Sequence, residues 1–285
     1  VAPTAKSLIL DLLSTMKGGA LPVRALVAAA ALFGITENSL RVALARLRAG
    51  GMVTSDEPGR YRLGTNAEAV NRLTTSWRTV ERSLRPWSGA WIAVATSDVP
   101  TPPHGRGARA LAFLGFRPLR RDLAVRPDNL VGGVAGVRER LTELGLDPAA
   151  DVFGLHDLDE ATEVRAMRLW DTAAIRLGYR RTLAEIERSE RALDEMPREQ
   201  AMAESFVVGG RAIRQIVLDP RLPDPLVPAA ERRALVDAML RYDRAGRSRW
   251  ASFLREMGVT PGTTPAHVRF TGDDIPAPDE LMGAL

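Results

Sequence analysis

A cationic, hydrogen-bonding face recurs at helical spacing between residues 38 and 48. At about 100° per residue, Asn38, Arg41, Val42, Ala45 and Arg48 fall together, with Ser39 and Arg46 at the edge. Guanidinium forks suit guanine edges and phosphate oxygens, while amide and hydroxyl groups pair with adenine edges or phosphates. A valine can meet the thymine methyl group or stand simply as a tolerated exposed apolar residue. The chemistry is readout of a polyanionic duplex, with no bond made or broken. Such a face needs a rigid carrier. Leu40, Ala43, Leu44 and Leu47 occupy the opposite side at the same spacing, and Thr36 stands where a capping side chain is wanted. Farther on, Arg60 and Arg62 flank the turn sequence Glu57-Pro58-Gly59 and are candidate phosphate ligands. Their alternation with Tyr61 and Leu63 is equally that of a half-buried strand.

The surrounding elements are read from periodicity and punctuation. Leu8, Ile9, Leu12, Leu13 and Met16 predict a helix over residues 4–16, stopped by Gly18-Gly19. Pro22 suits the first turn of a second helix, in which Leu26, Ala30 and Phe33 recur at offsets of four and three. Gly34 supplies a tight turn, Gly50-Gly51 ends the third helix, and residues 52–56 and 60–63 read as a hairpin. Over residues 21–63 this order predicts a winged helix-turn-helix whose second helix enters the major groove. Its expected DNA contacts are Thr36, Asn38, Ser39, Arg41, Val42, Ala45, Arg46, Arg48, Arg60 and Arg62, with Lys17 and Arg24 as lesser candidates. Residues 66–84 read as a further helix closed by Pro86.

Beyond Trp87 the pattern changes. A strand at 91–95, a proline-rich loop at 97–104, a helix at 106–114, strands at 116–120 and 123–126, a helix at 131–144 and a strand at 152–155 follow. That β-α-β-β-α-β order predicts a ferredoxin-like sandwich. After Asp157 the chain reads as packed helices. Trp170, Ala173, Ala174 and Leu177 form one apolar stripe, Leu235, Met239 and Tyr242 a second, and Trp250, Phe253, Leu254 and Met257 a third. Four prolines within residues 219–228 demand an ordered, extended interruption, and the stretch after Gly258 reads as a loosely held tail. The fold class expected is α+β, with domains at 1–85, 86–160 and 161–285.

Charge narrows the function classes. Residues 1–85 contain twelve basic and six acidic side chains, whereas the remainder holds 27 basic against 29 acidic, so only the head is built to meet a polyanion. Cysteine is absent, and His104, His156 and His267 are far apart, so neither a disulfide nor a metal site is expected. No phosphate loop, nucleophile elbow or triad pattern occurs, and neither enzyme activity nor a cofactor is expected. Asp98, just past a strand, is read as a loop or capping residue. The alternative is a metal-dependent nuclease, which would need two symmetry-related Asp98 carboxylates facing each other. Trp87 and Trp91 are read as packing residues rather than a stacking platform. Arg180, Arg181, Arg211, Arg214, Arg232 and Arg233 are available to a polyphosphate ligand, although most of the 37 arginines must be ordinary surface and ion-pair residues. No apolar run spans a membrane and no secretory leader is visible, so a soluble, cytoplasmic protein is expected.

Four stretches in order carry a family resemblance. They are Gly34-Ile35-Thr36 leading into Ser39-Leu40-Arg41-Val42-Ala43-Leu44-Ala45-Arg46-Leu47, then Trp87-Ser88-Gly89-Ala90-Trp91, then Leu114-Gly115-Phe116, and finally Leu218-Asp219-Pro220-Arg221-Leu222-Pro223 ahead of Leu226-Val227-Pro228. In these the chain resembles the PaaX-type family of bacterial transcriptional repressors, known for control of phenylacetic acid degradation. The resemblance implies a homodimer on a palindromic double-stranded DNA operator, whose later domains dimerise and sense an acyl-coenzyme A. Arg180, Arg181, Arg211 and Arg214 are the expected effector ligands. A DNA-bound scaffold without a ligand is the remaining alternative.

Overall fold

The computed structural model describes residues 2–14, 20–67, 76–96 and 105–259. The protein is of α+β class. Its first helix, α1 (Ala5–Ser14), begins at a reciprocal cap, in which Ser7 N–H donates to Thr4 Oγ1 at 3.1 Å and Thr4 N–H to Ser7 Oγ at 3.0 Å. It buries Leu8, Ile9, Leu12 and Leu13, the stripe read from spacing. Strand β1 (Leu21–Pro22) leads directly into α2 (Val23–Ala31), and the turn at Gly34, with φ of +69°, leads to α3 (Glu37–Ala49). Strands β2 (Val53–Glu57) and β3 (Arg60–Leu63) form the expected hairpin. The sheet has a third member, because Leu21 and Pro22 pair antiparallel with Tyr61 and Arg60, giving the order β1-β3-β2. Two residues are too short to show a period, so the sequence reading placed Pro22 inside the helix; it is the residue just before it.

Of the helix expected over 66–84, residues 66 and 67 are α-helical, and the next described stretch is a 3-10 helix at Ser76–Ser83. Its Trp77 and Val80 are buried among the later helices and not in the core of the first three.

The middle of the chain runs β4 (Trp91–Ala95), α4 (Arg106–Phe113), β5 (Arg117–Arg120), β6 (Leu123–Pro127), α5 (Gly133–Glu143) and β7 (Asp151–Leu155). These strands form an antiparallel sheet in the order β5-β6-β4-β7, with Ala93 opposite both Val125 and Phe153. Strand alternation divides β4 between two cores. Ile92 and Val94 pack beneath α4 and α5 with Leu111, Val137 and Leu141, whereas Trp91 and Ala93 face the later helices.

Those helices are α6 (Glu160–Met167), α7 (Thr172–Ala192), α8 (Arg198–Val217) and α9 (Ala229–Glu256), the last three packed on one another. One expected stripe is corrected. Trp170 lies ahead of α7 and is buried, but Ala173, Ala174 and Leu177 are exposed; α7 instead buries Tyr179 and Ile186 and half-buries Ile175 and Leu183. The spacing joins the aromatic to a helix that starts only after it. Leu235, Met239 and Tyr242 are buried as read.

The head does not complete its own core. Met202 and Phe206 of α8 and Trp250, Phe253 and Leu254 of α9 pack into the cluster formed by α1, α2 and α3. Phe33 lies 5.3 Å from Phe206, ring centre to ring centre, and Phe206 lies 6.0 Å from Trp250. Arg24 adds a hydrogen bond to the Met257 carbonyl at 3.1 Å, which gives it a structural task.

Candidate nucleic-acid interface

Helix α3 is aimed by what it buries. Leu40, Leu44 and Leu47 are buried, so Asn38, Ser39, Arg41, Val42, Ala45, Arg46 and Arg48 all lie exposed on the other side. The cap is in place, with Thr36 Oγ1 accepting from Ser39 N–H at 3.2 Å and donating to Ser39 Oγ at 2.9 Å. Asn66 fastens the far end by donating to the Gly50 carbonyl at 3.0 Å. Val42 leaves 43% of its surface in solvent on the same face.

The arginines sort into two groups. Arg46 and Arg48 extend from α3 with no partner among the described residues. Arg41 is held by Glu37 one turn earlier, at 2.6 Å, an exposed pair that an incoming phosphate can exchange. The hairpin arginines face differently. Arg60 donates to the Ala20 carbonyl at 3.2 Å and lies 3.7 Å from Glu57, tying the hairpin to the strand ahead of α2. Arg62 is half-buried, with its Nε fully enclosed. The structure therefore brings Asn38 through Arg48 onto one free surface and gives Arg60 and Arg62 work inside the head. The free cations are on the helix.

The four Arg residues expected to hold an effector are split. Arg211 and Arg214 line a cleft at the end of α8, joined there by Arg117 from β5, whereas Arg180 and Arg181 lie exposed on α7 and do not line it. Arg117 carried no signal in the sequence, since its strand alternation fits any half-exposed edge. Arg232 is buried, bonding to Glu81 at 2.9 Å and to the Leu222 carbonyl at 2.9 Å; Arg233 is exposed. Among the described residues no group of His, Cys, Asp or Glu is arranged to hold a metal. Lys17, Asp98, His104 and His267 lie outside the described residues.

The remaining sequence motifs converge on the joint between the four-stranded sheet and the helices. Trp91 stacks on Trp170 at 6.2 Å, meets Trp87 edge-on at 5.2 Å and donates from Nε1 to Glu163. Trp170 Nε1 donates to the Gly115 carbonyl at 3.1 Å. Gly115 is left-handed, with φ of +80°, and an added Cβ would lie 2.7 Å from the Pro220 carbonyl oxygen. Arg126, fully buried, donates to the Leu114 and Pro127 carbonyls and to Asn129 Oδ1, and Asn129 donates in turn to the Arg221 carbonyl at 2.8 Å. Burial and the neighbouring Arg221 bring the Arg126 guanidinium down to about 9. Asp219 accepts from the Tyr179 hydroxyl and from Arg221 N–H, and burial pushes its carboxyl up. Trp87, Trp91, Gly115 and Asp219 thus join one half of the molecule to the other.

An exposed basic helix face on a small three-stranded sheet, set on an α+β body, defines a protein equipped to bind a nucleic-acid duplex. The chain belongs to the PaaX-like family of transcriptional regulators: the model for PaaX-like proteins matches residues 4–67, and that for the PaaX-like C-terminal domain matches residues 170–249. Among solved structures it is similar in fold to the uncharacterised protein Rv0674 from Mycobacterium tuberculosis, at 24% identity and a TM-score of 0.56, over 86% of this chain and 99% of that one. No curated protein matches the chain. Among the described residues, no helix is long and apolar enough to cross a membrane.

Proposed function

We propose that the chain is a sequence-specific DNA-binding regulator that acts as a repressor. The observation that carries this is α3, whose exposed face presents Arg46 and Arg48 free of any described partner beside Asn38, Arg41 and Val42. In this reading the head is a winged helix-turn-helix, and β4 to β7 with α4 and α5 form a ferredoxin-like unit. The strand order β5-β6-β4-β7, with a helix in each crossover, supports the latter. The domains are 1–85, 86–160 and 161–285, the last all-helical and responsible for dimerisation and effector sensing.

Two heads of a cytoplasmic homodimer would sit on a palindromic operator with half-sites about one helical turn apart, roughly 34–36 Å, or a multiple of it. An acyl-coenzyme A or aromatic-acid-derived effector would release DNA by favouring a dimer geometry in which the heads no longer match that spacing. The protein is a binder and not an enzyme, and needs no cofactor.

The test uses the intact chain, because α8 and α9 complete the core of the head. Titration of duplex DNA at two salt concentrations should show affinity falling steeply with salt, and Arg46→Ala with Arg48→Ala should weaken it further. Absence of DNA binding, or binding indifferent to both substitutions, would refute the reading.

A further inference from the structure

Arg117 of β5 and Arg214 of α8 line a cleft of about 440 Å³ whose apolar wall is Ile175, Leu218 and Pro220. The size lies within the range of small-molecule sites, about 300–1,000 Å³. Its charge is balanced in part, since Arg211, which also lines it, is paired with Glu185. Arg214 has no acceptor among the described residues. Among the described residues Arg117 donates only to the neutral Phe116 carbonyl, at 2.9 Å, and burial holds its guanidinium below the ordinary value. Asp219, the carboxylate in the wall, is already engaged by the Tyr179 hydroxyl and Arg221 N–H. Leu218 meanwhile leaves 40% of its surface in solvent beside these charges. Guanidinium forks next to an uncovered aliphatic surface match a carboxylate or phosphate carried on a short apolar chain.

We propose that this cleft binds a small aliphatic anion and that α8 carries its occupancy to the head. The second part rests on reading the head as the DNA-binding unit. Arg214 at the cleft and Phe206 against Phe33 lie on one helix, eight residues apart, about 12 Å along the axis. Met202, another turn on, is buried in the head's own core. A ligand that draws β5 and the end of α8 together moves the helix on which Phe33 rests, just ahead of the Gly34 turn into α3.

Calorimetric titration of the intact chain with butyl phosphate, pentanoate and 1-pentanol tests the site. At least one anion should bind with Kd below about 1 mM, while the neutral alcohol should not. Preference between the two anions tells phosphate from carboxylate. Arg214→Gln and Arg117→Gln should each weaken binding about tenfold or more, and Arg117→Lys, which keeps charge but loses the fork, should weaken it less. Arg180→Gln, outside the cleft, should change nothing, and circular dichroism establishes that each variant is folded.

Hydrogen exchange with the bound anion should slow in α8 and across residues 31–36. Phe206→Ala should keep the affinity and lose the change at 31–36. Failure of both anions to bind, equal binding of the alcohol, or indifference to Arg117 and Arg214 would overturn the site, and an unchanged head on binding would overturn the transmission. No DNA enters these measurements, so their outcome is separate from that of the DNA titration.

Discussion

Replacing Glu37 with Gln releases Arg41. The pair between them spans one turn of α3 with both side chains more than half exposed, which makes it worth about 0.3–0.5 kcal/mol, or roughly twofold in an equilibrium constant. If α3 lies in the major groove, a phosphate that recruits Arg41 must first outcompete Glu37, and the substitution removes that competition. It also adds one available cation. Each phosphate contact contributes about 0.9 to the slope of log K against log salt, so between about 50 and 200 mM salt the variant should lose roughly 3.5-fold more affinity than the parent. The first turn forfeits a helix-dipole contribution of about 0.3–1 kcal/mol, too little to unfold a domain, and the Thr36 cap is untouched. Fluorescence anisotropy with one labelled duplex over a salt series measures affinity and slope together. Glu37→Gln should bind about twofold more tightly at low salt with a steeper slope. An unchanged slope and affinity would show that Arg41 meets neither the backbone nor a base and that the face has been oriented wrongly.

Other substitutions separate readout from architecture. Arg41→Ala should reduce the preference for operator over random DNA by about 1–3 kcal/mol if the guanidinium reads a guanine, measured by competition. Arg60→Ala should instead act on the fold, costing about 1 kcal/mol in denaturant unfolding because it frees the Ala20 carbonyl. Gly115→Ala should cost about 2–4 kcal/mol by the same assay: roughly 1–2 for the left-handed backbone and the rest for the displaced Pro220. Asp11 is half-buried and its carboxyl is pushed well up by desolvation. Its folded pKa exceeds the unfolded one, so the parent gains stability as pH falls through the folded value. Asp11→Asn should therefore raise the melting temperature near neutral pH, with the advantage shrinking on acidification.

The sequence was most legible where one side of an element is buried and the other wet. The α3 face and the α1 stripe as far as Leu13 appear in the structure at the expected residues, because burial on one side imposes a strict period. Elements with no period of their own were missed. Strand β1 consists of two residues defined by their pairing with β3, and the segment at Ser76–Ser83 is shaped by Trp77 and Val80 reaching a distant core. Trp170 misled for a related reason, since its spacing to Ala173 and Leu177 matched a helix that begins only at Thr172. At the interface, residue type found the candidates, but only geometry separated Arg46 and Arg48, which have no partner among the described residues, from Arg60, which bonds to the Ala20 carbonyl. Arg117 was invisible because its role depends on α8, about a hundred residues later.

The shared core of head and helices also has a consequence during synthesis. Residues 2–67 leave the ribosome long before Trp250, Phe253 and Leu254 exist to cover their apolar side. At about 5–20 residues per second, the interval is roughly 10–40 seconds. Throughout it Phe33 stays uncovered on the side that Phe206 later takes, while α3 already has α1, α2 and β2 to pack on. A polypeptide released early, short of α9, would carry every candidate recognition residue and still leave the apolar side of its head uncovered.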